Sequence, residues 1–195
     1  MNIANYITLL RIVVIPLFPL IYLKYSFFKI NVLWMPYILL FILLFCELTD
    51  LIDGFVARKK NKVTELGKII DPMADSITNI SVLFTFTQSW VSLPLLLVFV
   101  FLYREFFISS LRTICALKGV ALAARTSGKI KTFLQAMSSI SIVGLLIFFT
   151  AGIISLQTLR WTSITLVSIT AIYSVISAVE YVYANWSYLR KFILS

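Results

Sequence analysis

The stretch that decides the fold begins Asp50-Leu-Ile-Asp53-Gly54-Phe-Val-Ala57-Arg58 and continues, after eight further residues, with Gly67, Asp71 and Asp75. It places four aspartates at helical spacing in a chain that is 61% hydrophobic. An ionised side chain costs about 2.5–3.5 kcal/mol at the centre of a membrane helix even on lenient insertion scales. Acids in such surroundings are therefore functional candidates.

The spacing of these acids predicts two helices that face each other. In the first segment, positions 50, 53, 54 and 57 fall on one helical face, and in the second segment positions 67, 71, 74 and 75 do the same. Oxygen donors without histidine or cysteine suit Mg²⁺ or Mn²⁺, and two ions neutralise four acids better than one. Such a pair could clamp a diphosphate, while a carboxylate at its edge could accept a proton from an alcohol.

The composition predicts an all-α, polytopic membrane protein. The 195 residues are 61% hydrophobic, and the mean hydropathy is +0.99, far above that of a soluble domain. Apolar runs of about 20 residues, the length that crosses a bilayer core, recur along the chain. We predict one membrane domain over residues 1–195, with a first span that is retained rather than cleaved. Its six transmembrane helices are expected near 6–24, 33–57, 69–88, 91–117, 130–153 and 162–186.

The basic residues lie mainly on one side of the predicted bundle. The net charge is +9, and alternate connections between the spans are rich in lysine and arginine. The opposite connections carry only Lys24, Lys29 and Arg160. The positive-inside rule then predicts a multi-pass protein of the inner (cytoplasmic) membrane, with both termini and the acidic motif facing the cytoplasm. The charge favours anionic lipid or phosphate as a partner, and a nucleic-acid partner is not expected.

The lack of histidine excludes several classes of site. Imidazole acid–base catalysis, histidine-ligated haem and the common zinc sites need a side chain that the sequence does not contain. Cys46 and Cys115 each stand alone in an apolar helix, so neither a disulfide nor a thiolate metal site is expected. Carboxylates are left as the groups that can transfer a proton.

Two other interpretations of the acids stay open. A buried ion-pair network with the basic residues of 58–62 would explain one acid, but two matched faces of acids argue for a site. A cation or proton pathway would spread acids across the bilayer, whereas these acids lie at one surface.

Three further charged residues have structural interpretations. Arg11 lies near the start of the first span, and we expect it to snorkel to the surface without a catalytic role. Arg104 could pair with Glu105 or Glu47. Glu180 is a lone acid in the last span, and its partner is either across a dimer or a basic residue at the cytoplasmic end.

The motif resembles the signature of a known enzyme family. Written as D-x2-D-G-x2-A-R-x8-G-x3-D-x3-D, it fills every fixed position of the pattern of CDP-alcohol phosphatidyltransferases. So many residues at fixed spacing are far more specific than a lone glycine motif. The resemblance extends to about residue 135 and is strongest to the branch that uses glycerol 3-phosphate. The further segments that carry it are Asn5–Arg11, Arg104–Arg112 and Ser127–Thr132.

The resemblance implies a six-helix fold, a homodimer and an active site that opens to the cytoplasm. It implies an enzyme of phospholipid biosynthesis, in which an alcohol attacks the β-phosphorus of CDP-diacylglycerol and displaces CMP. Asp50, Asp53, Asp71 and Asp75 would ligate two Mg²⁺ or Mn²⁺ ions, and Asp75 would also accept the hydroxyl proton. The nucleotide lipid would bind to Asn5, Thr8, Gly54, Ala57, Arg58 and Thr64.

The acceptor implied by the resemblance is glycerol 3-phosphate, whose dianionic phosphate needs cations near Asp75. The candidates are Arg104, Arg112, Lys129 and Lys131. The two lysines are two residues apart, so on a helix they point in opposed directions. Ser76 follows the last aspartate where related enzymes commonly have lysine, so serine, an inositol phosphate or phosphatidylglycerol stays open as the acceptor. The alternative from another class of protein is a cation carrier.

Overall fold

Seven α-helices make up the part of the chain that the structure describes. The structure is a computed structural model that describes the backbone at residues 3–59, 65–117, 125–186 and 190, and the side chains at 6–50, 70, 73–115, 125–186 and 190. No strand occurs among these residues, so the all-α prediction is confirmed. The helices are α1 (Ile3–Val14), α2 (Leu17–Lys24), α3 (Met35–Lys59), α4 (Glu65–Phe86), α5 (Leu95–Leu117), α6 (Thr126–Thr150) and α7 (Leu156–Ala184).

The predicted spans coincide with observed helices, except that the first span is broken. This apolar run forms two helices, α1 and α2, separated at Ile15 and Pro16. Pro16 has no N–H to donate to the preceding turn, so the helix cannot continue regularly through it. Each of the other five predicted spans falls on one helix, with ends that differ by a few residues. The assignment of residues 1–195 to a single domain stays a prediction.

Three helical stretches among the described residues are long and apolar enough, by length and composition, to cross a membrane. They are Tyr6–Lys24, Thr126–Thr150 and Leu156–Ala184. Many large apolar side chains also lie on the surface, such as Leu96 at 78% and Phe41 at 69% exposure, which suits contact with lipid. The count of six spans stays a prediction for α3, α4 and α5.

The first helix lies against both helices that carry the acidic motif. α1 and α2 pack on α3 and α4, while α3 also packs on α6. α6 pairs with α7, and α5 contacts α4 and α7. Side chains of α1 can therefore reach the acids on two other helices, and α5, α6 and α7 form the neighbouring part of the bundle.

Aromatic packing anchors α2 at the end of α4 opposite to the acidic motif. The rings of Tyr22 and Phe18 each meet Phe86 edge to face, with centroids 6.0 and 5.7 Å apart. The Tyr22 hydroxyl donates to the carbonyl of Gln88 at 3.2 Å and accepts the N–H of Val91 at 3.3 Å. These contacts hold α2 on the connection between α4 and α5.

The short connection between α6 and α7 fixes how these helices pair. Gly152 has a φ of 76°, the left-handed conformation that ends many helices. Its N–H donates to the carbonyl of Phe149 and that of Ile153 donates to Phe148, both at 2.9 Å, which is the Schellman arrangement. Ser155 then begins α7, because its hydroxyl accepts a backbone N–H of the first turn at 3.1 Å.

Candidate functional site

Arg11 joins the two helices of the acidic motif. Its Nη1 atom lies 2.7 Å from Oδ1 of Asp50 on α3 and 2.8 Å from Oδ1 of Asp75 on α4. The arginine side chain is only 3% exposed, whereas the two carboxylates are 37% and 36% exposed. One cationic nitrogen therefore holds acids from both helices, so these two acids do face each other as the spacing predicts.

The position of Arg11 follows from the buried face of the first two helices. The buried residues of this face recur at intervals of three and four along the chain, which is the periodicity of one helical face. They are Thr8, Arg11, Ile15, Phe18 and Tyr22. Arg11 therefore points into the bundle, and the prediction that it snorkels to the surface is wrong. The signal was present in the sequence, since Arg11 occupies an interior position of this pattern. Thr8, predicted to bind the nucleotide lipid, lies one turn earlier on the same face.

The other members of the motif lie outside the described side chains. Only the backbone is described, in each case as helix, for Asn5, Asp53, Gly54, Ala57, Arg58 and Asp71. Thr64 lies outside the described residues altogether. Among the side chains that are described, no group of three or more histidine, cysteine, aspartate or glutamate residues could hold a metal ion. The four-carboxylate metal site stays a prediction, and the structure brings together two of its members.

The chemistry of the described pair fits a hard divalent cation. Asp50 and Asp75 both approach one positively charged nitrogen, so oxygens from two helices lie within reach of a single cation. Carboxylate oxygens are the ligands that Mg²⁺ prefers, and each carboxylate offers two of them. Both side chains are partly exposed, so an ion could reach them without entering the apolar core.

A second charged cluster lies beside the first, around Glu105 of α5. Its carboxylate contacts Lys131 of α6, and its Oε1 atom lies 3.3 Å from Nη1 of Arg104. Ser76 of α4, the residue after Asp75, donates its hydroxyl to Oε2 of Glu105 at 3.5 Å. The side chains of Lys131, Arg104 and Glu105 are 3%, 10% and 17% exposed. Two buried cations therefore share one carboxylate, next to the aspartate predicted to be the base.

The four predicted acceptor cations are not all brought together. Arg104 and Lys131 meet at the same carboxylate. Arg112 instead lies against Tyr181 of α7, with its guanidinium carbon 5.3 Å from the ring centroid and its Nε donating to the hydroxyl at 3.2 Å. Lys129 is exposed at the start of α6. The two lysines therefore do point in opposed directions.

Several structural interpretations of charged residues are confirmed. Arg104 pairs with Glu105, which was one of the two partners predicted for it. Glu180 lies 3.2 Å from Nη1 of Arg125, so its partner is a basic residue of the same chain, and both side chains are well exposed. Cys46 and Cys115 are buried free thiols.

The last helix contributes polar side chains that were not predicted to belong to the site. Ser177 accepts a hydrogen bond from Nη2 of Arg104 at 3.1 Å, and Tyr181 accepts one from Arg112. Both lie on a buried face of α7 that is lined with hydroxyl groups. Its polar members are Ser163, Thr170, Ser174, Ser177 and Tyr181. Hydroxyl residues at intervals of three, four and seven in an apolar helix, which place them on one face, were the signal that could have identified them.

Comparison with known proteins gives the same family as the motif. The sequence model of CDP-alcohol phosphatidyltransferases matches residues 1–176. A CDP-diacylglycerol–glycerol-3-phosphate 3-phosphatidyltransferase of Bacillus subtilis (strain 168) is 33% identical over 202 residues, covering 97% of this chain and 97% of that protein. A protein of the same name from Rickettsia typhi is 36% identical, covering 73% of this chain and 77% of its own length. One from Shigella flexneri serotype 5b is 31% identical, covering 80% and 89%. This chain belongs to the CDP-alcohol phosphatidyltransferase family.

Proposed function

We propose that this chain transfers the phosphatidyl group of CDP-diacylglycerol to glycerol 3-phosphate, forming phosphatidylglycerophosphate and CMP. The observation that carries the proposal is the similarity over 97% of the chain to a protein named for this reaction. The complete acidic motif supports it from the sequence. The chain is thus a transferase of phospholipid biosynthesis.

Asp75 is the residue proposed to accept the proton of the acceptor hydroxyl. As the proton leaves, the hydroxyl oxygen bonds to the lipid-bearing phosphorus, and the bond from that phosphorus to the CMP oxygen breaks. The position of Asp75 supports this role, because its carboxylate lies beside that of Asp50, a predicted metal ligand on the neighbouring helix. Asp75 is 36% exposed, which allows a substrate to approach it.

We propose that the cofactor is a pair of divalent ions, either Mg²⁺ or Mn²⁺. Asp50, Asp53, Asp71 and Asp75 would hold them, and the convergence of Asp50 and Asp75 on one cationic nitrogen supports this donor set. When bound, such ions would offset the charge of the diphosphate and stabilise CMP as it leaves. The nucleotide lipid would bind to the other predicted residues of the motif and to Thr8 on the buried face of α1.

The charge balance around Glu105 supports an acceptor that carries a phosphate. Arg104 and Lys131 share this single carboxylate, so the cluster has one positive charge in excess. A phosphate dianion would offset that charge, and arginine is well suited to bidentate contact with it. Ser76 links the cluster to the helix turn that carries Asp75. A phosphate bound there would hold the acceptor hydroxyl close to the base.

The proposal includes a membrane topology. We propose six transmembrane helices, with both termini and the acidic motif on the cytoplasmic side of the inner membrane, and a homodimer as the assembly. α3, α4 and α5 contain 25, 22 and 23 residues. At 1.5 Å per residue each is about 33–37 Å long, enough to cross a hydrocarbon core of about 30 Å. The lysine- and arginine-rich connections support the orientation.

An acceptor screen with purified protein tests the function. The protein in detergent receives CDP-diacylglycerol and, in turn, glycerol 3-phosphate, serine, inositol phosphate or phosphatidylglycerol, with Mg²⁺, Mn²⁺ or EDTA. We expect equal amounts of CMP and labelled phosphatidylglycerophosphate with glycerol 3-phosphate and a divalent ion, and neither product in EDTA. CMP release with a different alcohol alone would overturn the acceptor assignment. Cation flux into liposomes without any CMP release would instead favour the carrier.

A further inference from the structure

Arg11 is a buried cation that the proposed reaction does not by itself require. It lies on α1, outside the acidic motif, and its side chain is 3% exposed. Burying a guanidinium in the interior of a membrane helix bundle is costly unless it is paired with an acid. Among the described side chains, Arg11 pairs with Asp50 and Asp75, and both are predicted metal ligands.

The geometry of this pairing is that of a shared counter-ion. The same Nη1 atom contacts Oδ1 of Asp50 at 2.7 Å and Oδ1 of Asp75 at 2.8 Å. The two acids come from different helices, α3 and α4, and the arginine comes from a third helix that packs on both. Arg11 therefore fixes the separation of the two carboxylates and supplies a positive charge where like charges would otherwise repel.

We propose that Arg11 is a positioning residue of the metal site, which holds Asp50 and Asp75 in register and offsets their charge before divalent ions bind. This inference rests on the proposed function, because it assumes that these acids bind metal. A carboxylate has two oxygens that can each accept more than one contact, so the arginine orients the acids without using up their capacity as ligands. Arg11 and the divalent ions are then alternative sources of positive charge for the same acids.

The dependence of stability on Mg²⁺ distinguishes a positioning role of Arg11 from a purely structural ion pair. If Arg11 only tied α1 to the bundle, its loss would lower the stability of the protein equally with and without Mg²⁺. If Arg11 offsets the charge of the metal ligands, its loss harms the metal-free protein more than the metal-bound protein. The stabilisation by Mg²⁺ must then increase in the variant, because the ions take over a charge that the arginine supplied.

The experiment compares Arg11→Gln, Arg11→Lys and the control Arg160→Gln with the wild-type protein. Arg160 also ties two parts of the fold together, since its Nε donates to the carbonyl of Trp90 at 3.0 Å, but it lies far from the acids in sequence and is exposed. Unfolding is followed with a thiol-reactive dye, which reports the exposure of the buried thiols of Cys46 and Cys115. Each variant is heated in EDTA and at a series of Mg²⁺ concentrations, and kcat is measured at saturating Mg²⁺.

We expect the Mg²⁺-induced rise in unfolding temperature to be at least twice as large for R11Q as for the wild type, and unchanged for R160Q. R11K keeps the charge but not the planar guanidinium, so its Mg²⁺-induced rise should match the wild type while kcat falls by about 10- to 100-fold. Should R11Q be recovered only when Mg²⁺ is present throughout purification, that dependence is the same result in its strongest form.

Two results would overturn the inference on Arg11. One is an equal or smaller Mg²⁺-induced rise in R11Q than in a wild-type protein that makes product. The other is a kcat of R11K equal to that of the wild-type protein. This result decides the question if R11Q cannot be recovered at all. Failure of the proposed function is distinguishable, because the wild-type protein would then form no phosphatidylglycerophosphate with any divalent ion.

Discussion

The substitution Glu105→Gln should destabilise the protein far more than the same substitution at Glu180. Glu105 is 17% exposed and is the acid that Lys131 and Arg104 share at 3% and 10% exposure. Removing one partner from a buried ion pair typically costs about 3–5 kcal/mol, because it leaves a buried charge without compensation. In this case two cations would lose their common anion, so we expect the upper part of that range.

Glu180→Gln is the matched control because it also breaks a glutamate–cation pair. That pair with Arg125 is 49% and 42% exposed, so its loss should cost no more than about 0–1 kcal/mol. For a chain of this length, 3–5 kcal/mol corresponds to a fall of about 6–20 °C in unfolding temperature. The measurement is thermal unfolding in detergent with a thiol-reactive dye, since both cysteines are buried in the folded protein.

A double variant tests the cause of the loss. Adding Lys131→Met to Glu105→Gln removes one of the uncompensated cations, so we expect it to recover at least half of the lost stability. Equal unfolding temperatures for E105Q and E180Q would refute the reasoning, since Glu105 would then not hold the two cations in the bundle. No recovery in the double variant would show that the loss has a source other than buried charge.

Three further predictions concern the base, the acceptor and the α6–α7 connection. Asp75→Asn should lower kcat by about 10²–10⁴-fold, which is the usual contribution of a general base. CDP-diacylglycerol should still raise the unfolding temperature of this variant as it does for the wild type. Wild-type turnover in the variant would show that Asp75 is not the base. Lys131→Met should raise KM for glycerol 3-phosphate by about 10- to 100-fold, through the loss of one charge-assisted contact, and leave KM for CDP-diacylglycerol unchanged. An equal rise in both constants would contradict this. Gly152→Ala should lower stability by about 1–2 kcal/mol, because this residue has a φ of 76°. Gly144→Ala has open space for its methyl group and should raise stability by up to about 1 kcal/mol. A change of unfolding temperature in the same direction for both variants would contradict this prediction.

The helices could be predicted from the sequence because long apolar runs leave few alternatives. The break at Pro16 was not predicted, since averaging hydropathy over a window does not register a single missing N–H. The opposed directions of Lys129 and Lys131 followed from two-residue spacing alone, and the structure bears them out.

The parts of the site that could not be predicted depend on contacts between distant segments. Arg11 was assigned to the surface because its nearness to the chain start outweighed its place in a buried periodic face. Its pairing with Asp50 and Asp75 needs the packing of α1 on two helices, which sequence spacing does not specify. For the same reason, the sequence left two alternatives for the partner of Glu180, across a dimer or at the cytoplasmic end, and did not identify Arg125.

Pro16 divides the first apolar segment into two parts with different attachments. On the carboxyl-terminal side of Pro16, α2 is held by the aromatic contacts of Phe18 and Tyr22, which carry no charge for an ion to offset. Ahead of it, the 12 residues of α1 are attached through Arg11 to acids whose charge a ligand can offset. The two halves of this segment should therefore respond differently to a bound ion, because the ion changes the charge that Arg11 meets on α1 and leaves the ring contacts of α2 unaltered.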